Sequence, residues 1–144
     1  MLKRKLVSAC KRNILIVEDN DISGVLLQEM LKESGYTNIS IAKTGKEAIT
    51  LFSDNLDLIF MDINLPDTNG IELTKIFQKM HRKKDVPIIC YSTDFLRREK
   101  ECIDAGMVDY LPKPLTYKRL KQLLECWLPT KKIRAIRSSR STCT

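Results

Sequence analysis

Residues 58–66 read Leu-Ile-Phe-Met-Asp-Ile-Asn-Leu-Pro, four apolar residues closing on Asp62 and then a turn. A run this short and this continuously apolar has no polar face, so it suits a strand covered on both sides, the condition of a parallel sheet. Three further runs have the same form: Ile14-Val17 before Glu18 and Asp19, Ile88-Tyr91 before Ser92, and Val108-Leu111 before Lys113. Parallel strands share one carboxyl edge, and an open α/β sheet binds its ligand in the crevice there, beside the switch in strand order. Three carboxylates, a hydroxyl and a lysine gathered at that edge call for a divalent cation and a phosphoryl group.

The segments between these runs carry helical patterns. Asp21-Ile22-Ser23 offer a cap for a helix with apolar Val25, Leu26, Met30 and Leu31, ended by Ser34-Gly35. Asn38-Ala42 alternates as a strand, and Thr44 caps a second helix holding Ala48, Ile49 and Phe52. The turn-rich Asn64-Gly70 feeds a helix with Ile71, Leu73, Ile76, Phe77 and Met80. Pro87 opens the fourth strand, Thr93-Asp94 cap a helix running to about Ala105, and Gly106 closes it. Met107-Leu111 is the fifth strand, Pro112-Lys113-Pro114 a rigid turn, and Leu120, Leu123, Leu124 and Trp127 the buried stripe of a last helix near Thr116 to Trp127. Five strand and helix pairs in alternation predict an α/β fold with a doubly wound five-stranded parallel sheet, because right-handed crossovers put helices on both faces.

The bulk properties narrow the class. A chain of 144 residues with 43% hydrophobic content has room for one domain and one core. No apolar stretch approaches the roughly 20 residues of a membrane span, and residues 1–12 lack the apolar centre of a signal peptide. A cytoplasmic protein is expected. Five cysteines, odd in number and without a C-x-x-C pair, argue against a disulfide framework or zinc site, and Cys90 and Cys126 read as small core residues. The single histidine, His81, rules out a multi-histidine metal site and any Ser-His hydrolase that does not use it; it reads as solvated at a basic helix end.

The net charge of +7 conceals an asymmetry. Residues 1–12 carry five Lys/Arg and residues 130–144 carry five more, with no acid in either, which leaves 15 basic against 18 acidic residues in 13–129. The body is mildly acidic. Residues 1–12 and 129–144 are expected to be basic, disordered tails able to touch an anionic partner such as nucleic acid, acidic membrane or an acidic protein.

The site chemistry follows from the strand ends. Glu18 and Asp19 end the first strand and Asp62 the third, its neighbour in the order 2-1-3-4-5. Carboxylates held that close repel unless a cation lies between them, and a small hard cation takes oxygen ligands at about 2.0 to 2.1 Å. Magnesium meets that requirement.

Residues 13–128 resemble the receiver domain of two-component response regulators, including those of hybrid sensor kinases. The resemblance rests on Ile14-Leu-Ile-Val-Glu-Asp-Asn20, Leu58-Ile-Phe-Met-Asp-Ile-Asn-Leu-Pro66 with Asn69-Gly70, Pro87-Ile-Ile-Cys-Tyr-Ser92, and Asp109-Tyr-Leu-Pro-Lys-Pro114. It implies a flavodoxin-like fold and a phosphorelay module that is no conventional enzyme but promotes its own phosphorylation and dephosphorylation. Asp62 would accept a phosphoryl group from a histidine kinase or histidine phosphotransfer protein. Asp19 and Asp62 would bind Mg2+, with Mn2+ a possible substitute, helped by the Asn64 carbonyl and by Glu18 through water. Lys113 would contact phosphoryl oxygen and precede a cis proline, and Ser92 would be drawn to the phosphoryl group together with a movement of Tyr110. Asn64 and Asp94 would tune phosphoryl lifetime. Thr93 departs from the small residue usual at its place, and its bulk is expected to slow transfer or hydrolysis.

Phosphorylation is then expected to bias the surface of the fourth helix, fifth strand and fifth helix toward a downstream protein. With so few residues after Trp127, no DNA-binding domain of its own is expected, and no residue points to a particular oligomeric state. Two other readings compete. A magnesium-dependent phosphatase with Asp62 as nucleophile would resemble dehalogenase-type enzymes, but Asn64 stands where they carry a second Asp and no cap domain is available. A non-phosphorylated interaction module would be expected to lack principal site residues, and all are present.

Overall fold

The computed structural model describes residues 11–80 and 84–129. Its elements alternate: β1 (Asn13–Val17), α1 (Asp21–Glu33), β2 (Asn38–Ala42), α2 (Gly45–Leu51), β3 (Leu58–Met61), α3 (Gly70–Lys79), β4 (Ile88–Tyr91), a 3-10 turn (Leu96–Arg98) leading into α4 (Glu99–Ala105), β5 (Asp109–Leu111) and α5 (Tyr117–Trp127). All neighbouring strands are parallel, in the expected order β2-β1-β3-β4-β5. Val17 pairs with Met61 and Met61 with Cys90, so the residues following β1, β3 and β4 emerge at one edge.

Because side chains alternate along a strand, the sheet divides its apolar residues between two cores. Leu15, Val17, Ile59, Met61 and Cys90 meet Ala48, Leu73, Phe77 and Cys102, from α2, α3 and α4. Ile14, Ile16, Leu58, Phe60 and Tyr91 meet Leu27, Leu31, Leu120, Leu123 and Leu124, from α1 and α5. Covered on both faces, the central strands β1, β3 and β4 are buried almost throughout, whereas the edge strand β2 alternates.

Several local expectations are corrected. The cap of α1 is Asn20, whose Oδ1 accepts the Ser23 N–H at 2.9 Å. The buried line of α1 runs through Gly24, Leu27 and Leu31, one face of a 3.6-residue repeat, and leaves Val25 and Leu26 exposed. Ile49 and Ile76 likewise face outward. Thr93 and Asp94 do not cap a helix: the Asp94 carboxylate accepts from Asn64 Nδ2 at 2.8 Å instead, and the chain winds first as a 3-10 turn. The fifth strand is shorter than its apolar run and begins at Asp109. Cys90 and Cys102 are buried free thiols, and Cys126 is buried as expected but disulfide-bonded, which the odd, unpaired cysteine count had argued against.

Candidate metal and phosphoacceptor site

The β1 ladder continues one residue past the strand, because Glu18 N–H donates to the Ala42 carbonyl at 2.9 Å. This draws Glu18 into the domain, where it is 1% exposed. Asp62 N–H donates to the Val17 carbonyl at 3.0 Å, which sets Asp62, 6% exposed, beside it. One oxygen from each of Glu18, Asp19 and Asp62 lies within 4.8 Å of the others, with Asp19 on the open side. Two buried acids and one at the rim form a donor set of the kind a small hard cation takes.

Lys113 supplies the positive charge in this arrangement. Its Nζ bonds Glu18 Oε1 and lies 3.5 Å from Asp62 Oδ2. Burial, followed by the hydrogen bond to Asp62, raises the Glu18 carboxyl to about 7 against the opposing pull of Lys113. The Lys113–Pro114 peptide bond is cis, as the resemblance implied. Beneath the lysine sits a residue that strand patterning had marked only as apolar. Tyr91 presents its ring 4.6 Å from Lys113 Nζ and donates its hydroxyl to the Ser23 carbonyl at 3.0 Å. A buried tyrosine needs a partner for its hydroxyl, and the remoteness of Ser23 in sequence hid this one.

The loop after β3 folds back over the site. Asn64 N–H donates to Asp62 Oδ1 at 3.3 Å, Asn64 and Asn69 form an antiparallel bridge, and Gly70 N–H donates to the Ile63 carbonyl at 2.7 Å. Gly70 is a determinant that spacing alone does not reveal as steric: a Cβ there would stand 2.0 Å from the Asp62 carbonyl oxygen. Across the mouth, the Asn64–Asp94 hydrogen bond joins this loop to the one after β4. Ser92 is buried, and its Oγ accepts the Asp94 N–H at 3.1 Å. Thr93 is exposed.

Tyr110 lies apart from the carboxylates, half-buried on β5. Its ring stacks on Phe95, with centroids 4.4 Å apart and planes 2° from parallel, and the Arg119 guanidinium lies 5.2 Å from its centroid. Arg119 Nη2 donates to the Tyr110 carbonyl and to Asp109 Oδ1, both at 2.7 Å, and Trp127 Nε1 donates to Asp109 Oδ2 at 3.0 Å. Sequence reading named Tyr110 but not Phe95 or Arg119, which reach it from other elements. His81 lies outside the described residues, as do residues 1–10 and 130–144.

The family model for the response regulator receiver domain matches residues 14–125. The chain belongs to that family. Its receiver domain is 30% identical over 115 residues to part of the aerobic respiration control sensor protein ArcB of Escherichia coli (strain K12). The match covers 78% of this chain but only 15% of ArcB. Among solved structures, the receiver domain of the sensor histidine kinase PA1611 from Pseudomonas aeruginosa PAO1 carries a magnesium ion coordinated in its active site cleft. It superposes with TM-score 0.74 at 30% identity, covering 83% of this chain and 98% of its own. The receiver domain of the Saccharomyces cerevisiae response regulator Ssk1, co-crystallised with the histidine phosphotransfer signaling protein Ypd1, gives TM-score 0.70 at 30% identity, covering 81% and 88%. The chain is thus a two-component or phosphorelay receiver module. Among the described residues, no helix is long and apolar enough to cross a membrane.

Proposed function

We propose that Asp62 is the phosphoacceptor and that residues 13–128 form a signalling switch set by its modification. The observation that carries this reading is the three-carboxylate cluster on neighbouring strand ends with Lys113 against two of its members. An Asp62 oxygen attacks the phosphorus of a phosphohistidine, a P–O bond forms as the P–N bond breaks, and the imidazole leaves. Mg2+, or Mn2+ on the same ligands, supplies charge neutralisation for the approach of two anions. Asp19, Asp62 and the Asn64 carbonyl would hold it, with Glu18 helping through water.

Lys113 then turns from the carboxylates to a phosphoryl oxygen. Ser92 already accepts from Asp94 N–H, which leaves its hydroxyl hydrogen to donate to the phosphoryl group. The Asn64–Asp94 bond narrows the mouth through which a water must come to return Asp62 to a carboxylate, and Thr93 narrows it further. Asn64, Thr93 and Asp94 therefore set the phosphoryl lifetime. The protein promotes its own phosphorylation and dephosphorylation without being a conventional enzyme, and works in the cytoplasm.

The donor is a histidine kinase or histidine phosphotransfer protein. Ile22, 81% exposed, with Val25 and Leu26 gives it an apolar strip on α1, just beyond the Asp19 rim. The output face is formed by α4, β5 and α5, where Leu96, Ile103, Val108 and Tyr117 are exposed around the Tyr110 stack. Arg12 Nη2 donates to the Pro129 carbonyl at 3.4 Å, and the basic residues of 1–12 and 130–144 add charge for an anionic partner. Deleting residues 130–144 weakens retention on heparin at low salt and leaves phosphorylation intact; unchanged retention would remove the tail proposal.

The test of the main reading is intact mass after incubation with acetyl phosphate, with and without Mg2+, for the wild type and Asp62→Asn. The expected result is a magnesium-dependent phosphate adduct absent from the variant. An adduct that persists in Asp62→Asn, or no adduct with Mg2+ bound, overturns it.

A further inference from the structure

We propose that Asp67 is a positioning residue that ties the loop bearing Asp62 and Asn64 to the N-terminus of α2. The loop leaves β3 at Asp62 and returns at Gly70, and the Asn64–Asn69 bridge closes its base. Asp67 stands at the tip beyond that bridge. Its Oδ1 accepts the Gly45 N–H at 2.8 Å and its Oδ2 the Lys46 N–H at 3.1 Å. These are two of the amides that a helix start leaves without an internal partner, and a carboxylate is the side chain they favour. The same two backbone bonds hold the Asp67 carboxyl below its ordinary range.

The fit is steric as well as polar. A Cβ on Gly45 would lie 2.5 Å from Thr68 Cγ2, so a larger residue there would force the Thr68 side chain to move, and glycine lets the loop tip sit this close without that adjustment. The remaining first-turn amides are served locally: Thr44 Oγ1 accepts from Glu47 N–H at 3.0 Å, and the Thr44 carbonyl accepts from Ala48 N–H at 3.0 Å. Helix α2 therefore has a local cap at Thr44 and a remote one at Asp67, and only the remote one touches the loop. Without it the tip loses both of these hydrogen bonds to α2, and Asn64, which the proposed function makes a cation ligand, is positioned by the Asn69 bridge, its N–H bond to Asp62 and its side-chain bond to Asp94.

The two caps make the idea testable against a purely structural role. Thr44→Ala and Asp67→Ala both uncap α2, and both are expected to lower the melting temperature. Only Asp67→Ala should weaken Mg2+ binding to the full chain by isothermal titration calorimetry, by about tenfold, the lower end of the loss seen when outer-shell support of a metal ligand is removed. Thr44→Ala should stay within about twofold of wild type on the same scale. Asp67→Asn, keeping one acceptor oxygen, should fall between. Equal Mg2+ affinity in Asp67→Ala and wild type, or equal losses in the Ala variants of Asp67 and Thr44, overturns the inference while leaving Asp62 phosphorylation standing. A wild type that binds no Mg2+ overturns this inference together with the functional reading on which it rests.

Discussion

Gly70→Ala tests whether the site depends on close backbone contact behind Asp62. The added Cβ would lie 2.0 Å from the Asp62 carbonyl oxygen and 2.9 Å from its carbonyl carbon and from Met61 Cγ. Two of those three atoms are backbone and cannot rotate aside, so α3 and the end of β3 must part by about 1 Å. Helix propensity favours alanine by about 0.5–1 kcal/mol, whereas overpacking against an unyielding partner costs about 3 kcal/mol, for a net loss near 2 kcal/mol. For a domain of this size that lowers the melting temperature by about 8 °C. If Asp62 is the phosphoacceptor as proposed, a displacement of about 1 Å there should slow adduct formation by about a hundredfold. The assays are far-UV circular dichroism melting and the rate of phosphate adduct accumulation by intact mass. Gly24→Ala is the control, since a Cβ there finds its nearest neighbour, Glu18 Cγ, at an ordinary 3.7 Å, and should melt at or above wild type. A Gly70→Ala protein with wild-type stability and rate would refute the reasoning.

Lys113→Met leaves the buried Glu18 and Asp62 carboxylates without their cation, so without metal it should lose about 3 kcal/mol, and added Mg2+ should raise its melting temperature more than it raises that of wild type. Differential scanning fluorimetry with and without MgCl2 reads this, and an equal rise in both proteins would count against Lys113 as the stand-in charge. Arg119→Ala frees the Tyr110 carbonyl and the Asp109 carboxylate to which Trp127 is bonded, so the emission of the single tryptophan should shift in the unphosphorylated protein; an unchanged spectrum would show that Arg119 does not hold this cluster. Because Asp67 is held below its ordinary value of 3.8, its stabilising contribution is present above that pH and is lost as the pH falls through its folded-state value. The gap in urea midpoint between wild type and Asp67→Asn should therefore shrink below pH 3.8, and a gap constant down to pH 3 would deny the bond a charge-dependent part.

The strands were legible because a buried parallel strand is a short apolar run with no alternative use. β2, β3 and β4 have the bounds read from sequence, each stopping where a polar residue must leave the sheet. Helix faces were less legible. Val25 and Leu26 are as apolar as Leu27 and Leu31, and only the direction in which α1 meets the sheet decides which pair is buried. Capping was misread at α1, where the sequence pointed to Asp21–Ser23 and Asn20 caps instead, and at Asp94, whose side chain a residue thirty positions earlier had claimed. Local propensity loses to tertiary partners of this kind, and those partners are invisible in a single chain read in order. Phe95, Arg119 and Tyr91 escaped notice for the same reason, as the bonds that give them a role span elements.

The carboxylates were legible because strand ends fix their place, but their electrostatic balance appears only with Lys113 beside them. Three acids against one lysine leave two negative charges uncompensated in a site where two of the acids are almost wholly enclosed. The structure offsets this by burial that raises Glu18 toward neutrality and by sharing Lys113 between Glu18 and Asp62. On the proposed reading a divalent cation would cancel the excess in full, and phosphorylation of Asp62, replacing one carboxylate charge by a dianionic phosphoryl group, would then leave a single negative charge rather than three. Lys113 would then be free to leave the acids and meet the new oxygens. On this charge balance we expect the cation to bind before the phosphoryl group, so adduct formation from acetyl phosphate should fall to background when Mg2+ is removed with a chelator, and an undiminished rate would refute the argument.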